Sequence, residues 1–261
     1  MRLTALFPLL AVACASAALA QDATDDWEAV RQPEAKTVFA FVPTTTGLTI
    51  AFRCVDGVYG AVMAGLPTAP RQARIRTLRI GASADHLHDS VWSVTTDRTV
   101  ALADYPASLA RAMRKGGPVS IVIPGGGGEG RNLRHELSLP ASSAAIDETL
   151  TACGRPLEDP RDALLPEIEE SGLPRGVTWA RPPRPTYPRN NYAEGFAVVT
   201  CVVRPDGGTE QCQLESEFPV DGGFGRSALR AMEPARLTSP GETVGQYAPR
   251  MIGFRVNYRM R

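Results

Sequence analysis

Residues 195–204 read GFAVVTCVVR, residues 205–208 read PDGG, and residues 209–217 read TEQCQLESE. A β-branched apolar run, a proline-and-glycine corner and a returning extended run predict an antiparallel hairpin. Pro205 sets φ for the corner, and the glycines after Asp206 accept φ > 0. A register with Arg204 opposite Thr209 brings Cys201 directly opposite Cys212. A two-residue or a four-residue loop produces that register, whereas a three-residue loop sends the two sulfurs to opposite faces. The spacing predicts a Cys201–Cys212 disulfide inside one hairpin.

Beyond the hairpin, Gly223–Met232 reads as a helix with Phe224, Ala228, Ala231 and Met232 on one face, ended by Pro234 and Pro240. The last segment, Pro249–Arg259, alternates as a strand. Ile252, Phe254, Val256 and Tyr258 point one way; Met251, Gly253, Arg255, Asn257 and Arg259 point the other. The first set is expected to pack on the helix and the second to face solvent. The hairpin strands pair with each other, so the last strand is expected at a sheet edge.

Upstream, residues 155–184 are dense in proline and charge, with at most one short helix over Asp162–Glu170. They read as a semi-rigid linker. With no sustained apolar period, the linker is expected to add little buried surface, and a segment from about Pro182 onward is expected to fold by itself. Residues 21–154 read as a β-rich domain. Thr37–Val42, Leu48–Val55, Val58–Ala64, Ile75–Ile80, Val91–Thr95, Thr99–Ala103 and Val119–Ile123 are short, β-branched or alternating, and bounded by turn residues. Pro106–Lys115, ending at Gly116-Gly117, and Ser142–Cys153 carry helical spacing. The fold class is α+β: a β-rich N-terminal domain followed by a small β-β-α-β domain.

Residues 1–20, MRLTALFPLLAVACASAALA, place Arg2 before an apolar run and end in Ala18-Leu19-Ala20. That is the pattern of a signal peptide cleaved after Ala20. Retention as a membrane anchor and lipidation at Cys14 are the two alternatives. No later stretch approaches the ~18 apolar residues of a membrane span. Without Cys14, four cysteines remain in an exported chain, an even number in an oxidising compartment. The closing helix of the first domain ends in Cys153, placed to staple back onto the early strand bearing Cys54. A Cys54–Cys153 bond closes a loop worth about 4.7 kcal/mol at most in the chain-entropy model.

Charge and motifs exclude more than they include. Lys+Arg and Asp+Glu are 28 each, and the net charge of zero argues against a nucleic-acid partner. Gly125–Gly130 satisfies a dinucleotide-type glycine pattern but precedes an alternating segment, Arg131–Leu139, and not a helix. It reads as a hairpin loop. His86 and His88, between Asp85 and Asp89 and with His135 as a third candidate, carry too little pattern for a metal site. Glu167, Glu169 and Glu170 read as a solvated face. No hydrolase, β-lactamase or zincin motif occurs. The chain is expected to be no enzyme and to need no cofactor or metal.

The β-β-α-β order with its particular residues resembles the C-terminal domain of the TonB family, over Pro185 to Arg261. The residues are Tyr187-Pro188 ahead of the first strand, Pro205-Asp206-Gly207 in the hairpin, Phe224, Ala228 and Ala231 on the helix, Arg236 to Pro240 after it, and Ile252-Gly253-Phe254 in the closing strand. The family's last strand offers its free edge to a short extended segment, the TonB box, of an outer-membrane receptor. By that resemblance Met251, Ile252, Gly253, Phe254, Arg255, Val256 and Asn257 are expected to bind a protein partner through the main chain. The protein is expected in the periplasm and linked to envelope transport. Members of the family proper carry an N-terminal membrane helix with a histidine and a long proline-rich spacer. Here Leu3–Ala20 holds no histidine, and a folded β-domain stands in the spacer's place. An energy transducer anchored in the inner membrane is the alternative reading.

Overall fold

The computed structural model describes residues 26–169 and 171–260. The leader, Cys14, its cleavage point and Glu170 lie outside the described residues. Nine strands form one antiparallel sheet: β1 (Glu28–Gln32), β2 (Thr37–Pro43), β3 (Thr49–Val55), β4 (Val58–Ala64), β5 (Ile75–Gly81), β6 (His88–Val94), β7 (Ala101–Ala103), β8 (Gly117–Ile123) and β9 (Leu133–Leu139). Their order is β1-β2-β3-β4-β7-β6-β5-β8-β9. The glycine-rich loop closes the β8–β9 hairpin, where the Gly126 N–H donates to the Ile123 carbonyl.

One face of this sheet carries the two helices, α1 (Pro106–Met113) and α2 (Ala144–Ala152). Ile50, Phe52, Tyr59, Ala61 and Met63 point into that core, and Ala110, Met113, Ile146 and Leu150 come down on them from the helices. Small residues on α1 let its backbone lie close to the strands. Tyr59 shares a buried hydrogen bond of 2.9 Å with Thr149 on α2. Burial pushes the Tyr59 phenol well up from its ordinary value. Arg114 and Asp147 tie the two helices together at 2.6 Å. Cys54 of β3 is bonded to Cys153 at the end of α2, the pairing expected from the sequence.

The C-terminal part comprises β10 (Thr178–Arg181), β11 (Glu194–Val203), β12 (Thr209–Phe218), α3 (Phe224–Met232), β13 (Arg236–Thr238) and β14 (Met251–Arg259). β12, β11 and β14 form a three-stranded antiparallel sheet in that order, and β10 pairs with β13 separately. Ala197, Val199, Cys201 and Val203 face α3 and pack on Phe224, Ala228 and Met232. Gly223, in left-handed conformation at the start of α3, has no side chain to cap it. Glu217 of β12 supplies the missing acceptor, taking the Phe224 N–H at 2.7 Å.

The hairpin departs from its expected register. Val203 faces Thr209, and the Arg204 N–H donates to the Gly208 carbonyl, so Pro205-Asp206-Gly207 is a three-residue loop. That loop alone would separate the two sulfurs. A bulge intervenes: pairing shifts between Thr200 and Val202, and Gln211 takes a φ of 49°. The extra residue returns Cys212 to the face of Cys201, and the disulfide forms.

The segment read as a linker also differs from expectation. Leu173 and Val177 are 7% and 6% exposed and belong to the C-terminal core, with Trp179 of β10 packed against it. The expected short helix is a 3-10 helix, Pro160–Glu167. Single apolar residues spaced between prolines have no periodicity to reveal their burial, yet each fills a gap in the core. Burying them contributes about 1.5–3 kcal/mol apiece, so the C-terminal unit extends upstream of Pro182. Leu173→Ala in the full chain is expected to cost about 2–5 kcal/mol. Urea unfolding measures it, and a loss below about 0.5 kcal/mol would place Leu173 outside the core.

Candidate functional site

β14 is the strand on which the expected binding residues lie, and both of its faces are covered. Ile252 and Tyr258 are buried towards α3, and Phe254 and Val256 pack against the same core. The Tyr258 hydroxyl donates to the Phe224 carbonyl at 3.0 Å. Phe254 meets Trp179 edge-on, with ring centroids 6.1 Å apart. These contacts agree with the alternation read from the sequence.

At Met251, Gly253 and Arg255 the opposite face is turned away from solvent. Met251 is 2% exposed, and Gly253 is buried as well. Ser216, Val198 and Arg255 stand directly opposite one another across the three strands, in one row on one face. That row lies on the N-terminal sheet. Phe196 and Val198 pack on Leu102, with Val62 and Tyr105 alongside. Val62 and Leu102 alternate with residues of the helix-side core and therefore lie on the sheet's other face.

Arg255 is the polar centre of this contact. Its guanidinium donates to the Asp104 carboxylate at 2.5 Å and to the Ser93 hydroxyl at 2.9 Å. The Ser93 hydroxyl in turn donates to Asp104 at 3.1 Å, and Ser216 donates to the Asp104 backbone carbonyl at 3.3 Å. The same guanidinium lies 4.6 Å from the centroid of the Phe196 ring. Burial pushes the Asp104 carboxyl up, and the Arg255 charge opposes that rise. Arg255 therefore does not face solvent as the alternation leads one to expect. Asn257 and Arg259, beyond the contact, are the exposed residues of that alternation.

Backbone groups decide what the edge can do. Arg250 and Met260 bond towards β11, so the outward N–H and C=O groups of β14 are those of Met251, Gly253, Arg255, Asn257 and Arg259. The Gly253 N–H donates to the Gly172 carbonyl at 2.7 Å. Among the described residues no other backbone partner meets these outward groups. The sheet's opposite edge is taken up by side chains, since Arg155 and Arg161 donate to the carbonyls of Leu214 and Gln211 on β12. Gly253 itself has no room for a side chain, because a Cβ there would lie 2.2 Å from the Tyr105 hydroxyl. A proline at 253 would therefore break the contact between the two parts of the molecule as well as any partner pairing.

The other candidates remain apart. His86 bonds Ser83 in a turn, His88 lies on β6, and His135 is buried on β9 with its ring nitrogen Nε2 unpartnered. Among the described residues no three of His, Cys, Asp and Glu gather as a metal-holding group. Glu169 pairs with Arg175. Two surface grooves, of about 570 and 470 Å3, lie at Lys36–Cys54 and at Ile75–Gly125, away from β14. Asp104, Ser93, Tyr105 and Gly172, which shape the site, carry no signal in the sequence beyond their residue types.

No family model matches the chain, and no curated protein matches it. Among solved structures it is similar to the solution NMR structure of the Pseudomonas aeruginosa TonB CTD. The likeness is 22% identity over 33% of this chain and 88% of that one, with a TM-score of 0.28. Among the described residues no helix is long and apolar enough to cross a membrane.

Arg255→Ala is expected to cost about 3–5 kcal/mol near neutral pH, because it leaves Asp104 buried and unpaired. Without Arg255 the carboxyl rises further above its unfolded value. The folded state then holds a proton that the unfolded state has released, so stability falls as pH rises through that window. The difference between variant and wild type is thus expected to be larger near neutral pH than near the ordinary carboxylate pKa. Paired urea melts at the two pH values measure it, and an equal deficit at both would show that Asp104 does not carry the effect.

Proposed function

We propose that this chain is an exported, non-enzymatic binding protein whose β14 edge captures an extended segment of a partner protein by strand addition. The observation that carries this reading is the run of outward backbone groups at Arg255, Asn257 and Arg259. They lie on an edge strand, and among the described residues no backbone partner meets them. An edge of that kind must be protected or used, and here Asn257 and Arg259 are exposed. The partner's main chain would supply the hydrogen bonds, and its alternate side chains would meet Phe254 and Val256 on one side.

Arg74 and Glu194, paired at 2.9 Å, stand near the far end of this edge, because Glu194 faces Arg259 across the sheet. Arg259 adds exposed positive charge there, which suits a partner segment carrying acidic residues. In the compartment read from the leader, the partner would be an outer-membrane receptor with a TonB-box-like segment, and the process transport across the envelope. Sequencing the mature N-terminus, expected to begin at Gln21, separates this reading from that of an anchored energy transducer.

A photo-cross-linking residue in place of Asn257 in the full chain, expressed in the envelope, tests the binding mode. Cross-links are expected to concentrate on one extended segment of a partner, and to be absent when the same residue replaces exposed Val244. Equal labelling from both positions, or none from Asn257, would overturn the proposal.

A further inference from the structure

We propose that the outer edge of β9 joins a second copy of this chain, strand against strand, across a two-fold axis at His135. β9 closes one margin of the nine-stranded sheet, and its pairing with β8 runs from Leu133 to Leu139 without a bulge. The strand holds no proline. A straight, unbroken edge of seven residues is the template another strand needs. The Val94 N–H donates to the Arg74 carbonyl, and counting from that bond across β6, β5 and β8 sets the direction of every backbone group on β9. The outward N–H and C=O groups are those of Arg134, Glu136 and Ser138. Among the described residues no backbone group of another element meets them.

The side chains choose the occupant. Leu133, Leu137 and Leu139 turn towards the helix-side core, and the first two stay only half-buried at its rim. Arg134, Glu136 and Ser138 alternate with them and are exposed. Antiparallel pairing of two β9 strands keeps each side chain on its own face only where residues of like parity oppose one another. Pairing about Arg134 or about Glu136 brings like charges together. Pairing about His135 sets Arg134 opposite the second copy's Glu136, and Leu133 opposite its Leu137. The outward backbone groups of Arg134 and Glu136 then bond to one another in both directions.

Glu136 is already held in place for such a contact. It accepts from the Ser120 hydroxyl at 2.9 Å and lies 3.5 Å from Arg134, yet both charged side chains stay exposed. A second copy completes a square of four alternating charges and leaves none of them unpaired. β1, the sheet's other margin, offers no such register. Its Glu28 and Arg31 point to opposite faces, and Arg31 is bound to Glu148. The axis at His135 runs normal to the sheet, so the helix-covered faces of both copies lie on the same side. A joint of this size is weak and reversible, and it is closed, because each β9 edge is used once. Two copies so joined carry two β14 edges.

Sedimentation equilibrium of the full chain, over micromolar to millimolar concentrations, tests this. The wild type is expected to reach a dimer and to stop there. Arg134→Glu and Glu136→Arg each set like charges opposite one another at two symmetric positions, so either is expected to raise the dissociation constant by roughly tenfold or more. The exchanged double variant, R134E/E136R, is expected to return to within a few-fold of wild type. An equimolar mixture of the two single variants is expected to form mixed dimers, since each supplies the charge the other lacks. A wild type that stays monomeric throughout, or that grows past the dimer, would overturn the proposal. Single variants that associate like wild type would place the contact on another surface. A double variant that is folded by circular dichroism yet no better associated than the single variants would defeat this register, and the proposal with it.

Discussion

The ion pair between Arg255 and Asp104 holds two sheets in one arrangement. Asp104 is 4% exposed, and a carboxylate taken that far from water is costly unless a cation and hydrogen bonds meet it. Arg255 supplies the cation, Ser93 a hydroxyl donor, and the ring of Phe196 a flat surface for the guanidinium. A buried pair of this kind adds little net stability over well-packed apolar side chains. It does constrain geometry, because sliding the three-stranded sheet by one residue would strand both charges. The apolar contacts of Phe196 and Val198 on Leu102 have no such selectivity.

From that fixed arrangement the other features follow. Once the Arg255 face of β14 lies on the N-terminal sheet, Gly253 comes against Tyr105, and no larger residue fits. The chain leaving α2 must then pass along the rim of the joint. There, two arginines and three acids form a partly buried network: Arg111 pairs with Asp162 at 2.6 Å, Arg161 with Asp159 at 2.9 Å, and Glu215 lies within reach of Arg161. Residues 155–177 thereby become a hinge plate between the two sheets instead of a free tether. Their path explains why Arg155 and Arg161 end at β12 while Gly172 ends at β14, so that one connecting segment tends both edges of the same small sheet.

What was legible in the sequence is what repeats within ten residues or is fixed by local stereochemistry. Alternation in Ile252–Tyr258 identified the helix-side face of β14, the proline and glycine corner identified the hairpin, and the ending of α2 at Cys153 identified a disulfide. The short strand at the sheet's margin, β1, and the small strands β10 and β13 carry too few apolar residues to announce themselves. The hairpin loop illustrates a subtler limit. Cys201 and Cys212 were rightly paired, but through a bulge at Gln211 that no residue pattern foretells.

Backbone stereochemistry and periodicity, which act over a few residues, specify most of the strands and helices, which cysteines join, and which alternate set on β14 turns inward. Long-range packing alone covers Met251, Gly253 and Arg255 of the second set. Arg255 and Asp104 are 151 residues apart, and an arginine among exposed-looking neighbours reads the same whether it meets water or a buried carboxylate. The contact between Gly172 and Gly253 was hidden for the same reason. Gly172 and Gly253 are ordinary glycines in a linear chain, and their meaning comes from two backbones brought to within a hydrogen bond of each other.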